Sequence, residues 1–121
     1  MAACSLESGK TMSYFTHYRD HVGARPDKFH KATLCEGQFL MLGLNCLEPG
    51  QAHAVHTHAD QDKVYIVMDG VGWFTVADER QEAAAGAVIW APAGVPHGVE
   101  NRGSERLNVL VGMGPAPKKK G

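Results

Sequence analysis

The chain has 121 residues, 44% of them hydrophobic and 21% charged, which gives one globular domain with no room for a second core and excludes a disordered chain. Twelve basic residues against thirteen acidic ones leave a net charge of −1, so no whole-molecule field recruits nucleic acid or anionic lipid. The longest apolar run, Phe39 to Leu44, falls far short of the roughly 20 residues of a membrane-crossing helix, and the opening MAACSLESGK lacks a basic region followed by an apolar stretch, so the expected compartment is the cytoplasm.

Residues 1–27 are polar and irregular and read as an N-terminal arm, with Tyr14, Phe15 and Tyr18 as its bulky anchors and Arg25-Pro26-Asp27 as a turn. Strand signals start at Lys28. The spacing predicts strands over Lys28–Leu34 and Gln38–Leu47, with a turn at Glu36-Gly37. The second of these is apolar almost throughout, as a strand buried on both faces should be. Glu48-Pro49-Gly50 is the next turn. Short strands follow over 52–58, 63–69 and Gly72–Ala77, then a turn at Asp78-Glu79-Arg80 and a polar strand over Gln81–Ala85. Ala87–Ala91 ends at the stiff loop Pro92–Pro96, and Gly98–Asn101 and Leu107–Met113 complete the series. The tail, 114–121, is rich in Pro, Gly and Lys and reads as disordered. No stretch from 28 to 113 keeps a 3.6-residue period, so the pattern is that of an antiparallel sandwich or barrel.

The three cysteines, Cys4, Cys35 and Cys46, form no CxxC pair, which excludes a zinc ribbon or a thioredoxin-type redox site; Cys46 reads as a small strand filler. Seven histidines raise the question of metal. His56 and His58 are two residues apart, so on a strand both rings leave the same face about 6.6 Å apart at Cα. Such a pair can converge on one ion at about 2.0–2.2 Å.

Two segments carry more. GQAHAVHTHADQDKVYIVMDG, from Gly50 to Gly70, and GAVIWAPAGVPHGVEN, from Gly86 to Asn101, resemble the paired motifs of the cupin superfamily. The second motif, G-x5-P-x-G-x2-H-x3-N, is met at Gly86, Pro92, Gly94, His97 and Asn101. The first is met at Gly50, His56, His58 and Gly70, with its glutamate altered. The resemblance implies an all-β fold, an antiparallel double-stranded β-helix or jelly-roll barrel over 28–113. It also implies a divalent transition metal (Fe, Mn, Ni, Cu or Zn) held by His56, His58 and His97. Cupins it resembles are often dimers with exchanged N-terminal strands, so the arm is expected to serve a homodimer.

The fourth ligand stays open. Counting forward from His58 reaches Asp62, and counting back from Gly70 reaches Lys63, which cannot ligate a cation as an ammonium. With a two-residue turn at Ala59-Asp60, strand parity sets His58 opposite Gln61 and His56 opposite Lys63, all inward. Parity thus favours Gln61, with Asp62 or a water as the alternatives. Lys63 and Tyr65 share that inward face and are the candidate catalytic residues, Lys63 as a partner for a carboxylate or enolate. His53, an odd number of residues before His56, falls on the opposite face by parity. Asn101 pins a turn, His17, His21 and His30 are surface or turn residues, and Trp73, Trp90, Met41 and Met68 read as core.

The expected activity is that of a metal-dependent enzyme on a small organic substrate in the barrel mouth, with dioxygenase chemistry first among the reactions similar cupins perform. Isomerase, decarboxylase and lyase reactions, or a non-catalytic ligand-binding or sensing role, are the alternatives. Neither nucleic acid nor membrane is an expected partner.

Overall fold

The computed structural model describes residues 13–116. Nine strands follow a single 3₁₀ turn at Tyr18–His21: β1 His30–Glu36, β2 Met41–Leu47, β3 Ala52–His56, β4 Asp62–Asp69, β5 Val71–Val76, β6 Glu79–Ala84, β7 Val88–Ala91, β8 His97–Glu100 and β9 Leu107–Gly114. They form two sheets with all pairs antiparallel. One runs β1-β2-β9-β4-β7 and the other β3-β8-β5-β6. This is the expected jelly-roll barrel.

The core lies between the sheets. Leu47, Tyr65, Val67, Phe74, Ala91, Val99, Leu107, Val109 and Val111 pack there, supplied by alternate positions of strands from both layers. A second cluster, Leu34, Leu44 and Cys46, sits on the other face of β1 and β2, beneath Tyr18 and Val22 of the N-terminal segment. That explains the continuous apolar run of β2. Its inner side chains face the barrel and its outer ones are roofed by the chain's own N-terminal segment. The roof is clasped by the Tyr18 hydroxyl, which donates to Asp69 at 2.8 Å, while Arg19 pairs with the same carboxylate at 3.2 Å.

Several expectations shift. Phe39 and Leu40 are exposed and belong to the turn before β2, not to the strand. Tyr14 and Phe15 are exposed and anchor nothing among the described residues; of the three arm aromatics only Tyr18 packs. The turn expected at Asp78-Glu79-Arg80 sits at Ala77-Asp78, because Ala77 takes the left-handed conformation at φ 54° and lets β6 begin at Glu79. Trp90 is 57% exposed, on the face of β7 turned away from the core, and Trp73 is capped by the Arg102 guanidinium at 4.5 Å, so neither tryptophan is a core residue. Cys4 and most of the expected tail, 117–121, lie outside the described residues.

The chain does turn at Ala59-Asp60, but β3 and β4 do not pair across it. β3 pairs with β8 in one sheet and β4 with β7 and β9 in the other. His56 therefore faces His97, not Lys63, and Lys63 lies between Ala91 and Met113.

Candidate metal centre

Each histidine arrives by a different route. His56 ends β3 and His97 starts β8, and the two are direct register partners. His58 lies just beyond β3, where the chain leaves for the other sheet. The Pro92–Pro96 loop that delivers His97 is tied to His58 itself: the Gly94 amide donates to the His58 carbonyl at 2.8 Å. Gly94 makes that approach at φ 82°, a conformation that costs glycine nothing and a residue with a Cβ about 1–2 kcal/mol.

A bulge in β3 completes the arrangement. His53 pairs with Val99 and His56 with His97, so Ala54 and Val55 together oppose the single residue Gly98. A Cβ on Gly98 would stand 2.9 Å from the Val55 nitrogen and 3.0 Å from the His53 carbonyl oxygen. The bulge exists because residue 98 has no side chain. It also reverses the parity argument for His53. The extra residue brings His53 to the same side as His56, and the rings stack with centroids 4.2 Å apart.

The three rings expected to ligate do converge. Ring centroids are 4.4 Å apart for His56 and His97, 4.8 Å for His56 and His58, and 5.7 Å for His58 and His97. One ligand atom from each lies within 4.8 Å of the others, a separation that one shared cation with bonds of about 2.0–2.2 Å can close with little movement. The tautomers are set by the backbone. His56 Nδ1 donates to the Ala54 carbonyl at 2.7 Å and His97 Nδ1 to the Val95 carbonyl at 2.9 Å. Each contact leaves the lone pair on Nε2. Both Nε2 atoms are buried with no hydrogen-bond partner. An unsatisfied buried acceptor is costly, and two aimed at one point, beside a third imidazole, fit a metal ion.

Electrostatics agrees. His97 and His58 are held below the usual imidazole range, in each case first by burial and then by neighbouring positive charge, so these rings stay neutral and able to ligate near pH 7. His53 is pushed down to about 4, by burial first and then by His56 and Lys63.

The candidates for the fourth ligand separate. Asp62 Oδ1 accepts from the Ala93 amide at 2.9 Å, so this carboxylate braces the Pro92–Pro96 loop and is exposed, away from the triad. Gln61 lines the same cavity as His56 and His58. Its Nε2 donates to the Pro115 carbonyl at 3.0 Å, which leaves Oε1 as the amide atom free for a cation.

Of the two candidate catalytic residues, Lys63 is 3% exposed and lines the cavity. Tyr65 does not: it is fully buried in the core, packed on Phe74 at 5.5 Å and edge-on to His97 at 6.1 Å. Burial pushes its phenol well above the usual range, so it acts as a neutral support under His97. Asn101 pins its turn as expected. Its Nδ2 donates to the Leu47 and Glu105 carbonyls, both at 2.8 Å, and its Oδ1 accepts from the Gly103 amide at 2.9 Å.

The cavity holds about 290 Å³ and opens between β1, β2, β9 and the side chains of His53, His56 and His58. Met41, Val111 and Met113 give it an apolar wall, and Asn45, Lys31 and His53 add polar groups that parity and motif spacing had not singled out. Gly98, a glycine inside a strand, was the one sequence signal for the bulge that recruits His53.

Comparison with known proteins agrees with this architecture. The cupin domain family matches residues 43–113. An uncharacterized protein of Streptomyces coelicolor is 40% identical over 76 residues, 63% of this chain and 70% of its own length. Another, of Methanocaldococcus jannaschii, is 31% identical over 61 residues, 50% of this chain and 49% of its own length, so the chain spans about half of that relative. A solved structure from Thermus thermophilus superposes with a TM-score of 0.82 at 33% identity, over 85% of this chain and 98% of that one.

Proposed function

The chain belongs to the cupin family, and on that premise we propose that it is a metal-dependent enzyme acting on a small organic molecule in the cavity beside the histidines, with dioxygenation as the leading reaction class. The observation that carries this reading is the pair of buried, partnerless Nε2 atoms of His56 and His97 converging with His58. His56, His58 and His97 would hold a divalent Fe, Mn, Ni, Cu or Zn ion, with Gln61 supplying a neutral oxygen. Bound there, such an ion supplies Lewis acidity toward a substrate oxygen and, for the redox-active metals, activation of dioxygen.

The protein's own groups do the rest. The Ala54 and Val95 carbonyls fix the His56 and His97 rings, so little reorganisation is needed on loading. The Met41, Val111 and Met113 side chains keep bulk water from one wall and receive the apolar part of a substrate. Isomerase, decarboxylase and lyase reactions use the same kind of site, and reaction class is decided by the substrate screen below.

A second reading, ligand binding without turnover, is favoured by the absence of a carboxylate among the described residues that meet at the triad. We also propose a homodimer. The apolar face of β2 is roofed by its own chain, so the surface that supports dimerisation is the exposed cluster Tyr14, Phe39 and Leu40 beside the β1–β2 turn.

The test starts from chelator-stripped protein titrated with each of the five ions, reading metal stoichiometry and melting temperature. One ion per chain and a stabilisation lost in His97→Ala are expected. Gln61→Ala should weaken binding and Asp62→Asn should leave it unchanged. Oxygen uptake by the loaded protein over a panel of small organic molecules then identifies the reaction. Absence of stoichiometric metal overturns the enzyme reading, and ligand-induced stabilisation without turnover selects the second one.

A further inference from the structure

Lys63 is the anomaly of the cavity. It is 3% exposed, on the interior strand β4, with β7 on one side and β9 on the other. Its ammonium lies over the face of Tyr65, with Nζ 5.5 Å from the ring centroid. Among the described residues no hydrogen bond or ion pair engages it. A buried cation of this kind costs several kcal/mol unless a counter-charge meets it, which is why buried lysines are nearly always paired.

The walls supply no such partner. The residues that line the cavity are Lys31, Asn45, Gln61, Lys63, His53, His56 and His58 on the polar side, and Ala32, Met41, Gly43, Val111 and Met113 on the apolar side. No aspartate or glutamate is among them. Of the acids closest in the chain, Asp62 is taken by the Ala93 amide, and Asp60, whose charge is felt at His58, is exposed and lines no part of the cavity. A divalent ion on the histidines would add two more positive charges to a space that already has two lysines. Charge balance must come from what enters.

We propose that the cavity takes a small organic carboxylate, its carboxylate seated on Lys63 Nζ and its apolar portion against Met41, Val111 and Met113. The assignment rests on the reading of this cavity as the substrate site, and it narrows that reading to a substrate class. Asn45, buried and with no hydrogen bond from its side chain among the described residues, is placed to hold a second oxygen of the ligand. Lys31, exposed at the mouth and paired in register with Asn45, draws anions inward. The volume, about 290 Å³, lies at the low end for ligand pockets and suits a compact acid.

The test compares matched pairs that differ only in charge: benzoate with benzamide, and 3-methylbutanoate with 3-methylbutanamide. Chloride and phosphate serve as inorganic anions. Binding is measured by calorimetry on metal-free and metal-loaded protein, for the wild type and for Lys63→Met and Lys31→Met. The wild type should bind each carboxylate at least about tenfold more tightly than its amide, in both metal states. In the metal-free protein Lys63→Met should erase that preference while keeping the fold, since methionine fills the same volume without charge. Lys31→Met should retain it. Equal binding of acid and amide, a preference that survives Lys63→Met in the metal-free protein, binding of inorganic anions only, or no probe bound at millimolar concentration overturns the proposal. A carboxylate preference without any metal binding leaves it standing and removes the metal-enzyme reading; metal binding without the preference does the reverse.

Discussion

The Gly98 contact makes a sharp prediction, because it ties one hydrogen atom's worth of space to the aim of two imidazoles. Replacing Gly98 by Ala places a Cβ 2.9 Å from the Val55 nitrogen and 3.0 Å from both the Val55 Cα and the His53 carbonyl oxygen. All three are backbone atoms of the bulge and none can rotate away. Overpacking of this kind costs about 1–3 kcal/mol. For a domain of this size, about 4 °C of melting temperature per kcal/mol gives a fall of about 4–12 °C. The relief available is for β3 to lift from β8. His56 rides on β3 and His97 on β8, so their Nε2 atoms separate, and metal affinity should drop about tenfold or more. The control is Gly37→Ala, whose Cβ would sit 3.8 Å from its nearest neighbour, the Leu40 carbonyl oxygen, and should change stability by less than about 0.5 kcal/mol. Melting curves and metal titrations on the two variants decide. A Gly98→Ala protein with wild-type melting and affinity refutes the bulge argument. One that melts early yet binds metal normally refutes the claim that the bulge aims the site.

Two further outcomes follow from the same geometry. In metal-free protein His53 is pushed from 6.5 to about 4, and His58 and His97 are lowered as well. The folded state therefore resists protons that the unfolded chain accepts, and stability should fall as pH drops from about 6.5 toward 4, with His53 contributing on the order of 1–3 kcal/mol. Lys63, lowered from 10.5 to about 8, has the same sign at higher pH, so stability should rise from pH 8 toward 10, a rise absent in Lys63→Met; denaturant melts across pH check both limbs. Asn101→Ala strips partners from two carbonyls and an amide at a fully buried position and should cost about 2–4 kcal/mol by urea denaturation, with metal affinity per folded molecule unchanged.

Much of this site was legible because its physics is local. The alternation of apolar residues located the strands within a few positions, and the G-x5-P-x-G-x2-H-x3-N spacing fixed the loop that carries His97, since proline and glycine act on their own backbone. Asn101 could be read as a turn residue for the same reason. What escaped depended on partners distant in sequence. The Ala59-Asp60 turn resembles a hairpin turn, yet β3 leaves for β8 and β4 for β9, and nothing local distinguishes a hairpin from a change of sheet. The parity argument still selected Gln61 and Lys63 as cavity residues, because inward alternation along β4 holds whichever strand lies beside it. It failed for His53, where one extra residue in β3 reversed the count; Trp90, read as core from its residue type, is turned outward by its register.

The alteration of the motif is easier to understand from the charges than from the ligands alone. A site with a glutamate brings its own anion, and a bound divalent ion is then half neutralised before any substrate arrives. Here the cavity residue proposed as the oxygen ligand, Gln61, is an amide, and Lys63, two residues on, is buried in the same wall. Both changes move the cavity in the same direction. Introducing an acid by Gln61→Glu should therefore act in two opposite ways, tightening the ion through an added charge while giving Lys63 an internal partner that competes with an incoming carboxylate. The two effects would be coupled through one residue, so the substitution that improves metal retention is also the one that should weaken selection of an anionic ligand. An arrangement in which the protein withholds its own counter-charge makes occupancy by an anion the step that completes the electrostatics of the site.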